Sequence, residues 1–286
     1  MALQDELGSA LLKIRGLYPS LRPSERRVAD YVLANAGAVI LLSSTELGER
    51  TGTSDATVVK FSQRLGFRGY QEFKIALAGE VSGPAPEVFG EVEPTDGLAT
   101  LRDKVFAANI EALHDTRKVL DPGALEQAVQ AILEARQVCF YGVGASGLVA
   151  LDAQQKFMRV GVICHAYGDS HLQATQAALL EKGDVAVAIS HSGQTKDTLE
   201  VVRIAKENGA LTIALTNFSR SPLACLADLK LLTSTRESTF RSGAIASRLA
   251  QLSVIDVLFT AVAVKRYERS LNFLDRTRKA VAGRRT

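Results

Sequence analysis

A cluster of hydroxyl side chains follows a short apolar run in the second half of this 286-residue chain. No polar side chain interrupts the run, residues 185–189, as expected of a buried parallel strand. The next residues are Ser190, His191, Ser192, Gly193, Gln194 and Thr195, and helical spacing of apolar residues follows them. Free N–H groups at a helix start favour an anion, so this turn is a candidate anion site. An ordinary Ser/Thr-capped turn is the alternative interpretation.

A second loop of the same kind follows the apolar run at residues 138–141. Its glycines would let a ligand approach the backbone, and Ser146 offers a hydroxyl at the start of the next helical stretch. Gly142, Gly144 and Gly147 match the GxGxxG spacing of dinucleotide-binding loops. That fingerprint also needs an acidic residue about 20 positions later to hold a ribose. Residues 159–165 contain none, so we predict no nicotinamide and no other cofactor.

The elements around these loops predict an α/β domain. Strand-like runs recur at residues 137–141, 162–165, 185–189, 211–215 and 229–232, and helical stretches separate most of them. Helices over residues 98–120 and 123–135 are predicted to precede the first strand. This alternation is typical of a parallel sheet flanked by helices on both faces. Ligands bind such sheets at the carboxyl ends of the strands, where both loops fall.

The two loops together resemble those of the sugar isomerase (SIS) fold, whose pattern is Gly-x-Gly-x-Ser after the first strand and Ser-x-Ser-Gly-x-Thr after a later one. The resemblance implies a phosphosugar ligand, with its phosphate held by Ser190, Ser192 and Thr195 and with main chain or ring contributed by His191. Ser146 would hold the phosphate or a sugar hydroxyl. The predicted ligand-binding residues are Gly144, Ser146, Ser190, His191, Ser192, Gly193, Thr195 and Glu237.

Short helical patterns separated by turns occupy the first 81 residues, and residues 44–65 have the anatomy of a helix-turn-helix. Gly52 falls where the tight turn needs a positive φ, and Ser54 can cap the second helix with Thr57 at its third position. One shared face is predicted to pack the two helices together: Leu47, Val58, Phe61 and Leu65. Any three-helix packing domain is the structural alternative.

The opposite face of the second helix carries side chains that suit DNA. In a helix-turn-helix the first residues of that helix enter the major groove. Lys60 and Gln63 suit guanine and adenine respectively, and hydroxyl and basic side chains can hold phosphates. The predicted DNA-binding residues are Ser54, Asp55, Ala56, Thr57, Lys60, Gln63 and Arg64, with Arg68 and Lys74 as further phosphate contacts.

Residues 54–77, SDATVVKFSQRLGFRGYQEFKIAL, look like the signature of the RpiR family of bacterial transcription regulators, and residues 237–259 are similar to the family's last helix. The family joins an amino-terminal helix-turn-helix domain to an SIS domain. The resemblance implies a repressor or activator whose affinity for double-stranded operator DNA is set by a phosphosugar. It also implies a homodimer or homotetramer. Lys60 stands where many relatives carry arginine.

The fold class predicted is therefore an all-α helix-turn-helix domain, residues 1–81, joined to an α/β SIS domain, residues 98–286. Residues 82–97 have linker composition, with three of the chain's seven prolines and four acidic residues.

Cysteines at 139, 164 and 225 lie too far apart for a CxxC site, so no metal is predicted and a cytoplasmic location fits. Residues 244–264 are the most membrane-like stretch. Arg248, Gln251 and Asp256 interrupt them, which favours a buried helix and no membrane contact.

A phosphosugar isomerase is the alternative function. Moving a proton between adjacent carbons needs a base near the sugar. Glu237, His171 and His191 are available, although a lone histidine is more often a surface or packing residue. A helix-turn-helix joined by a linker would serve no purpose in such an enzyme. The sequence therefore favours a regulator without catalytic residues.

Overall fold

A computed structural model of the chain describes residues 9–81, 92–235 and 245–282. The chain divides into two compact units, Met1–Gly90 and Glu91–Thr286. They follow the order of the two predicted domains. Residues 82–91 of the predicted linker, and Glu237, lie outside the described residues.

The first unit is helical throughout its described part, as predicted. Its helices are α1 (Ala10–Leu17), α2 (Pro23–Ala34), α3 (Ala36–Val39), α4 (Ser44–Thr51), α5 (Asp55–Arg64) and α6 (Tyr70–Val81). Buried apolar side chains from all six helices form one core. Phe73 lies at its centre, with its ring 5.9 Å from that of Phe61 and 5.7 Å from that of Phe67. Helix α5 is anchored to this core through its buried residues Val58 and Phe61.

Helices α4 and α5 form the predicted helix-turn-helix. Ser43 and Glu46 make a capping box at the start of α4, and these hydrogen bonds to Ser43 lower the pKa of the Glu46 carboxyl. Gly52 ends the helix with a φ of 61°, in the left-handed region that favours glycine. Ser54 then caps α5, because its hydroxyl accepts from the N–H of Thr57 at 3.2 Å. Leu47, Val58, Phe61 and Leu65 are buried together, which confirms the predicted packing face.

The second unit is built on five parallel strands in the order β2-β1-β3-β4-β5. They are β1 (Val138–Tyr141), β2 (Cys164–Ala166), β3 (Val185–Ile189), β4 (Leu211–Thr216) and β5 (Leu229–Leu232). The predicted parallel sheet is confirmed. The main difference is β2, which was predicted over residues 162–165 and is observed over Cys164–Ala166, in register with Val138 to Phe140 of β1.

Helices cover both faces of this sheet. They are α7 (Leu98–Val119), α8 (Pro122–Glu134), α9 (Ala145–Arg159), α10 (Ser170–Ala178), α11 (Lys196–Glu207), α12 (Pro222–Leu226), α13 (Ile245–Lys265) and α14 (Tyr267–Ala282). The larger core joins one face of the sheet to α8, α9 and α13. Two smaller clusters join the other face to α10, α11 and α12. Helices α9 and α11, which follow the neighbouring strands β1 and β3, therefore lie on opposite faces.

Helix α13 is long and apolar enough to cross a membrane by length and composition. Val254, Ile255 and Leu258 on this helix are instead buried in the larger core. The prediction of a buried helix is therefore confirmed. Two of the cysteines, Cys139 and Cys164, are buried. Burial raises the pKa of the Cys139 thiol to about 11 and that of Cys164 to about 12, so both stay protonated at neutral pH.

Candidate functional site

The two predicted loops lie next to each other at one edge of the sheet. Strands β1 and β3 are hydrogen-bonded neighbours, with Tyr141 in register with Ala188. Residues 142–147 leave the end of β1, and residues 190–195 leave the end of β3. Because α9 and α11 depart to opposite faces, the space between the two loops is a topological switch point, and we refer to this space, the position at which doubly wound sheets bind ligands, as the crevice.

Ser190 stabilises the loop after β3, residues 190–195, which we call the hydroxyl loop. This residue is only 3% exposed, and its Oγ accepts from the N–H of Gly193 at 3.1 Å. The same Oγ is 3.1 Å from the hydroxyl of Thr195. Ser192 accepts from the N–H of Gln194 at 3.2 Å. Ser192 and Thr195 are half-buried, so their hydroxyls line the loop while Ser190 holds its shape.

The amino end of helix α11 adds to this loop. Thr195 is the residue before the helix, and its side chain makes no capping bond to the helix backbone. The first N–H groups of a helix have no carbonyl partner within it, and the helix dipole is positive there. Hydroxyls and backbone donors therefore converge where the sequence predicted an anion.

A layer of polar residues from β4 supports the hydroxyl loop. The carbonyl of His191 accepts from the N–H of Asn217 at 3.1 Å and from the hydroxyl of Thr216 at 3.2 Å. Gly193 has a φ of 63°, and a Cβ there would lie 2.2 Å from the Oγ of Ser221. Sequence reasoning missed this layer. The signal for it was the mostly polar segment 216–221, which follows the predicted strand 211–215 and is interrupted only by Phe218.

The loop after β1 is equally tight. A Cβ on Gly142 would lie 2.6 Å from the carbonyl oxygen of Ser146, and Gly144 has a φ of 59°. Gln173, fully buried on α10, donates its Nε2 to the carbonyl of Gly142 at 2.9 Å and to that of Tyr167 at 2.7 Å. The glycines and this amide set the position of Ser146, which is half-buried at the crevice.

Ser146 has one side-chain partner from a distant part of the chain. Its Oγ donates to the Oε1 of Gln251 on α13 at 3.3 Å. Sequence reasoning missed both Gln173 and Gln251. Each is a lone amide on the buried face of a helix, and a polar side chain at a core position was the signal that could have found them.

The segment after β5 reaches the same edge of the sheet. Asn217 Oδ1 accepts from the N–H of Thr235 at 2.8 Å and from the hydroxyl of Thr233 at 3.3 Å. Glu237 lies outside the described residues, so its predicted role as a ligand-binding residue stays a prediction. The N–H of Ser234 donates to the hydroxyl of Thr116 on α7 at 3.1 Å, which joins this segment to the first helix of the unit.

On the other unit, most predicted DNA-binding residues share one surface of α5. Ser54, Asp55, Ala56, Lys60 and Gln63 are exposed, and Thr57 is half-buried against the Ser54 hydroxyl at 2.9 Å. Gly48 on α4 was missed by sequence reasoning. A Cβ there would lie 3.0 Å from the carbonyl oxygen of Thr53, so glycine lets the turn approach α4 closely.

Arg64 makes its contacts within the unit, which argues against its predicted role as a phosphate contact. Its guanidinium donates to the Oε2 of Glu25 at 2.8 Å and to the carbonyl oxygen of Ser20. The Glu25 side chain is only 9% exposed in this pair. A buried carboxylate needs such a partner, so the ion pair between Arg64 and Glu25 joins α5 to α2.

We expect Arg64→Ala to destabilise the first unit by about 1–3 kcal/mol, because Glu25 would lose its charged partner. Operator affinity of the folded protein should change less than threefold. Thermal unfolding followed by circular dichroism, together with DNA binding at 20 °C, measures both effects. Arg68→Ala is the matched control for the stability measurement, since that side chain is 95% exposed. An unchanged melting temperature for Arg64→Ala would contradict this assignment.

Comparison with known families agrees with both units. Residues 131–261 match the SIS domain family, and residues 8–84 match the helix-turn-helix domain of the rpiR family. An uncharacterized HTH-type transcriptional regulator of Caldanaerobacter subterraneus is 42% identical over 275 residues. The alignment covers 96% of this chain and 98% of that relative.

Two solved structures are informative. Vibrio vulnificus NanR complexed with ManNAc-6P is 28% identical, with a TM-score of 0.62, and the match covers 97% of this chain and all of that one. Phosphoheptose isomerase GmhA of Neisseria gonorrhoeae is 24% identical with a TM-score of 0.50, and the match covers 58% of this chain and 99% of that one. At that identity the second likeness shows the fold alone.

Proposed function

This chain belongs to the RpiR family of helix-turn-helix transcriptional regulators, and from that premise we propose that a phosphosugar in the crevice between β1 and β3 controls its affinity for operator DNA. The observation that carries the proposal is the pairing of two loops at one sheet edge. The hydroxyls of Ser146, Ser192 and Thr195 surround that edge, and α11 begins there.

The phosphate end of the ligand fits the loop after β3. Ser192 and Thr195 supply hydroxyl donors, and the first turn of α11 supplies backbone N–H groups. Neutral donors suffice for a phosphate in a partly enclosed site because a charged acceptor strengthens each hydrogen bond. NanR, similar over nearly the whole chain, holds ManNAc-6P, which supports a phosphosugar of some kind for this site.

DNA recognition is assigned to helix α5. Its exposed surface offers Lys60 and Gln63 to base edges, and Ser54 with Thr57 and Arg68 to phosphates. One such helix reads a single half-site, and a two-fold operator needs two of them. We therefore propose a homodimer or homotetramer that acts in the cytoplasm, where the operator is.

The effect of the ligand reaches DNA through linkage. A phosphosugar that binds one arrangement of the oligomer more tightly shifts the population toward it. Helix α7 is suited to this coupling because it directly follows residues 92–97 and its Thr116 accepts from the Ser234 N–H beside the site. Occupancy of the crevice can thus bias the helix that leads toward the DNA-binding unit.

Ser146→Ala and Ser192→Ala should each weaken phosphosugar binding about tenfold, since each removes one hydrogen bond to the ligand. Operator binding without ligand should be unchanged. Thermal shift across a panel of phosphosugars identifies the ligand. Binding raises the melting temperature of the protein once the ligand concentration exceeds the dissociation constant. Calorimetry then gives the affinities of the variants, and fluorescence anisotropy gives operator binding.

Thr260→Ala, at an exposed position of α13, is the control for these serine variants. It should bind the phosphosugar like the natural chain. The proposed function is overturned if operator binding responds to the phosphosugar equally in the natural chain and in both serine variants.

Isomerisation of a phosphosugar in the same crevice is the second candidate function. The sensor function is favoured over it because the chain carries a helix-turn-helix unit. Of the two histidines suggested as a base, His171 is exposed and His191 is half-buried. Incubation of the purified protein with the ligand found above, followed by NMR, tests for turnover. Product formation by the natural chain that is lost in Glu237→Gln would show that the protein is an enzyme and would overturn the sensor function.

A further inference from the structure

Gln251 is a polar residue in an apolar setting. It lies on α13, is 1% exposed, and shares its helix face with Val254, Ile255 and Leu258 of the larger core. A buried amide that makes no compensating hydrogen bonds costs about 1–3 kcal/mol. Such a residue at a core position needs a reason other than packing.

The hydrogen bonds of the Gln251 amide are half complete. Its Oε1 accepts from the Ser146 hydroxyl at 3.3 Å. Its Nε2 is buried and has no hydrogen-bond partner among the residues that the structure describes. Buried donors are almost always paired, and an oxygen of a bound ligand would complete this group. The contact with Ser146 places the Oε1 end of the amide beside the loop after β1.

The position of α13 indicates which end of a ligand the amide would meet. Helix α13 packs with α9 on one face of the sheet, whereas α11 and the loop before it belong to the other face. The phosphate is assigned to the α11 side. Gln251 therefore approaches from the opposite wall, on the side left for the sugar.

We propose that Gln251 is a ligand-binding residue that donates its Nε2 to an oxygen of the sugar and so helps to choose which phosphosugar binds. A side-chain amide can donate through Nε2 and accept through Oε1, which suits a sugar hydroxyl or carbonyl. Ser146 and Gln251 then form one polar pair that contacts the ligand. This inference rests on the proposed function, because it assumes a phosphosugar in the crevice.

Gln251→Met keeps the volume of the side chain and removes the amide. We expect it to lower affinity for the best-bound phosphosugar about tenfold, the effect of one lost hydrogen bond. Affinity for inorganic phosphate should change less than twofold. The ranking among glucose 6-phosphate, fructose 6-phosphate and ManNAc-6P should also change. A residue that only supports Ser146 would weaken all of these ligands alike, so that result would overturn the proposal.

Gln155→Met is the matched control, because Gln155 is an exposed glutamine on α9 of the same unit. It should leave all affinities unchanged. Gln251→Asn is the second variant if methionine is not tolerated. The Gln251→Asn side chain keeps an amide but is shorter by one methylene. We expect this variant to lose the natural chain's preference among phosphosugars, as Gln251→Met does. Either folded variant binding every phosphosugar as the natural chain does would refute the role of Gln251.

The natural chain separates this failure from a failure of the proposed function. If the unmodified protein binds no phosphosugar in calorimetry, the proposed function fails and the role of Gln251 fails with it. If the natural chain binds and responds on DNA while Gln251→Met is unaltered, only the inference about Gln251 is wrong.

Discussion

Gly193→Ala should weaken phosphosugar binding strongly, and with it the response of operator binding to the phosphosugar. The residue has a φ of 63°, which costs a side-chain-bearing residue about 1–2 kcal/mol. Its new Cβ would also lie 2.2 Å from the Ser221 Oγ and 2.9 Å from the Thr216 Oγ1. Relieving this overlap adds about 1–3 kcal/mol.

The damage falls on the anion site because Gly193 is tied to it on both sides. Its N–H donates to Ser190 Oγ, and its carbonyl accepts from the N–H of Leu223 at 3.0 Å. Ser221 cannot simply move, since its hydroxyl caps the short helix α12. We therefore expect phosphosugar affinity to fall about a hundredfold, equivalent to about 2.7 kcal/mol. Calorimetry and urea unfolding of the same variant separate lost binding from lost stability.

Gly209→Ala is the matched control for backbone strain. It has a φ of 85°, and its nearest neighbour would be Lys182 N at 3.7 Å, an ordinary contact. That variant should be destabilised by only about 1 kcal/mol and should bind phosphosugar normally. If Gly193→Ala behaves like Gly209→Ala in both measurements, the hydroxyl loop is not the ligand site.

Removing Lys60 and Gln63 together should reduce operator affinity about a hundredfold or more. Both side chains are exposed on α5, and each good contact to a base edge is worth about 1–3 kcal/mol. Their loss should leave the fold intact, because neither belongs to the core of the first unit. Anisotropy at constant salt on operators selected from random DNA measures the effect, since salt alone changes such affinities strongly.

Two comparisons make this result specific. The double variant Lys230→Ala with Gln155→Ala removes the same side chains from exposed sites of the second unit and should not affect DNA binding. Arg68→Ala should weaken all sequences evenly, whereas Gln63→Ala should relax the preference at one base pair. A Lys60 and Gln63 double variant that binds its operator within threefold of the natural chain would show that another surface reads DNA.

Local sequence was sufficient for the elements of this protein. Apolar runs separated by amphipathic stretches predicted the five strands and the parallel sheet, and β3 and β5 have the predicted bounds. Gly52 and Ser54 predicted the turn and cap of the helix-turn-helix in the same way. These features depend on neighbours in the sequence, because backbone conformation, capping and periodic burial act over a few residues.

Contacts between distant residues were beyond that reasoning. Arg64 was expected on DNA because its spacing on α5 allowed it, yet Glu25, 39 positions earlier, binds it. Ser146 and Gln251 are 105 positions apart, and the support of His191 by Asn217 spans 26 positions. No local pattern gives the partner of a buried polar group, since that depends on which helix packs on which face of the sheet.

By itself, then, the sequence determined the two-domain architecture, the family, and the two loops that carry the candidate phosphate site. Glycine conformations, hydroxyl positions and strand patterning are encoded within each loop, so they could be predicted in place. The tertiary structure decided how the loops are held and what faces them. It buried Ser190 within its loop, paired Arg64 with Glu25, and placed Gln251 beside Ser146, because buried hydrogen-bond partners are chosen by packing between remote segments.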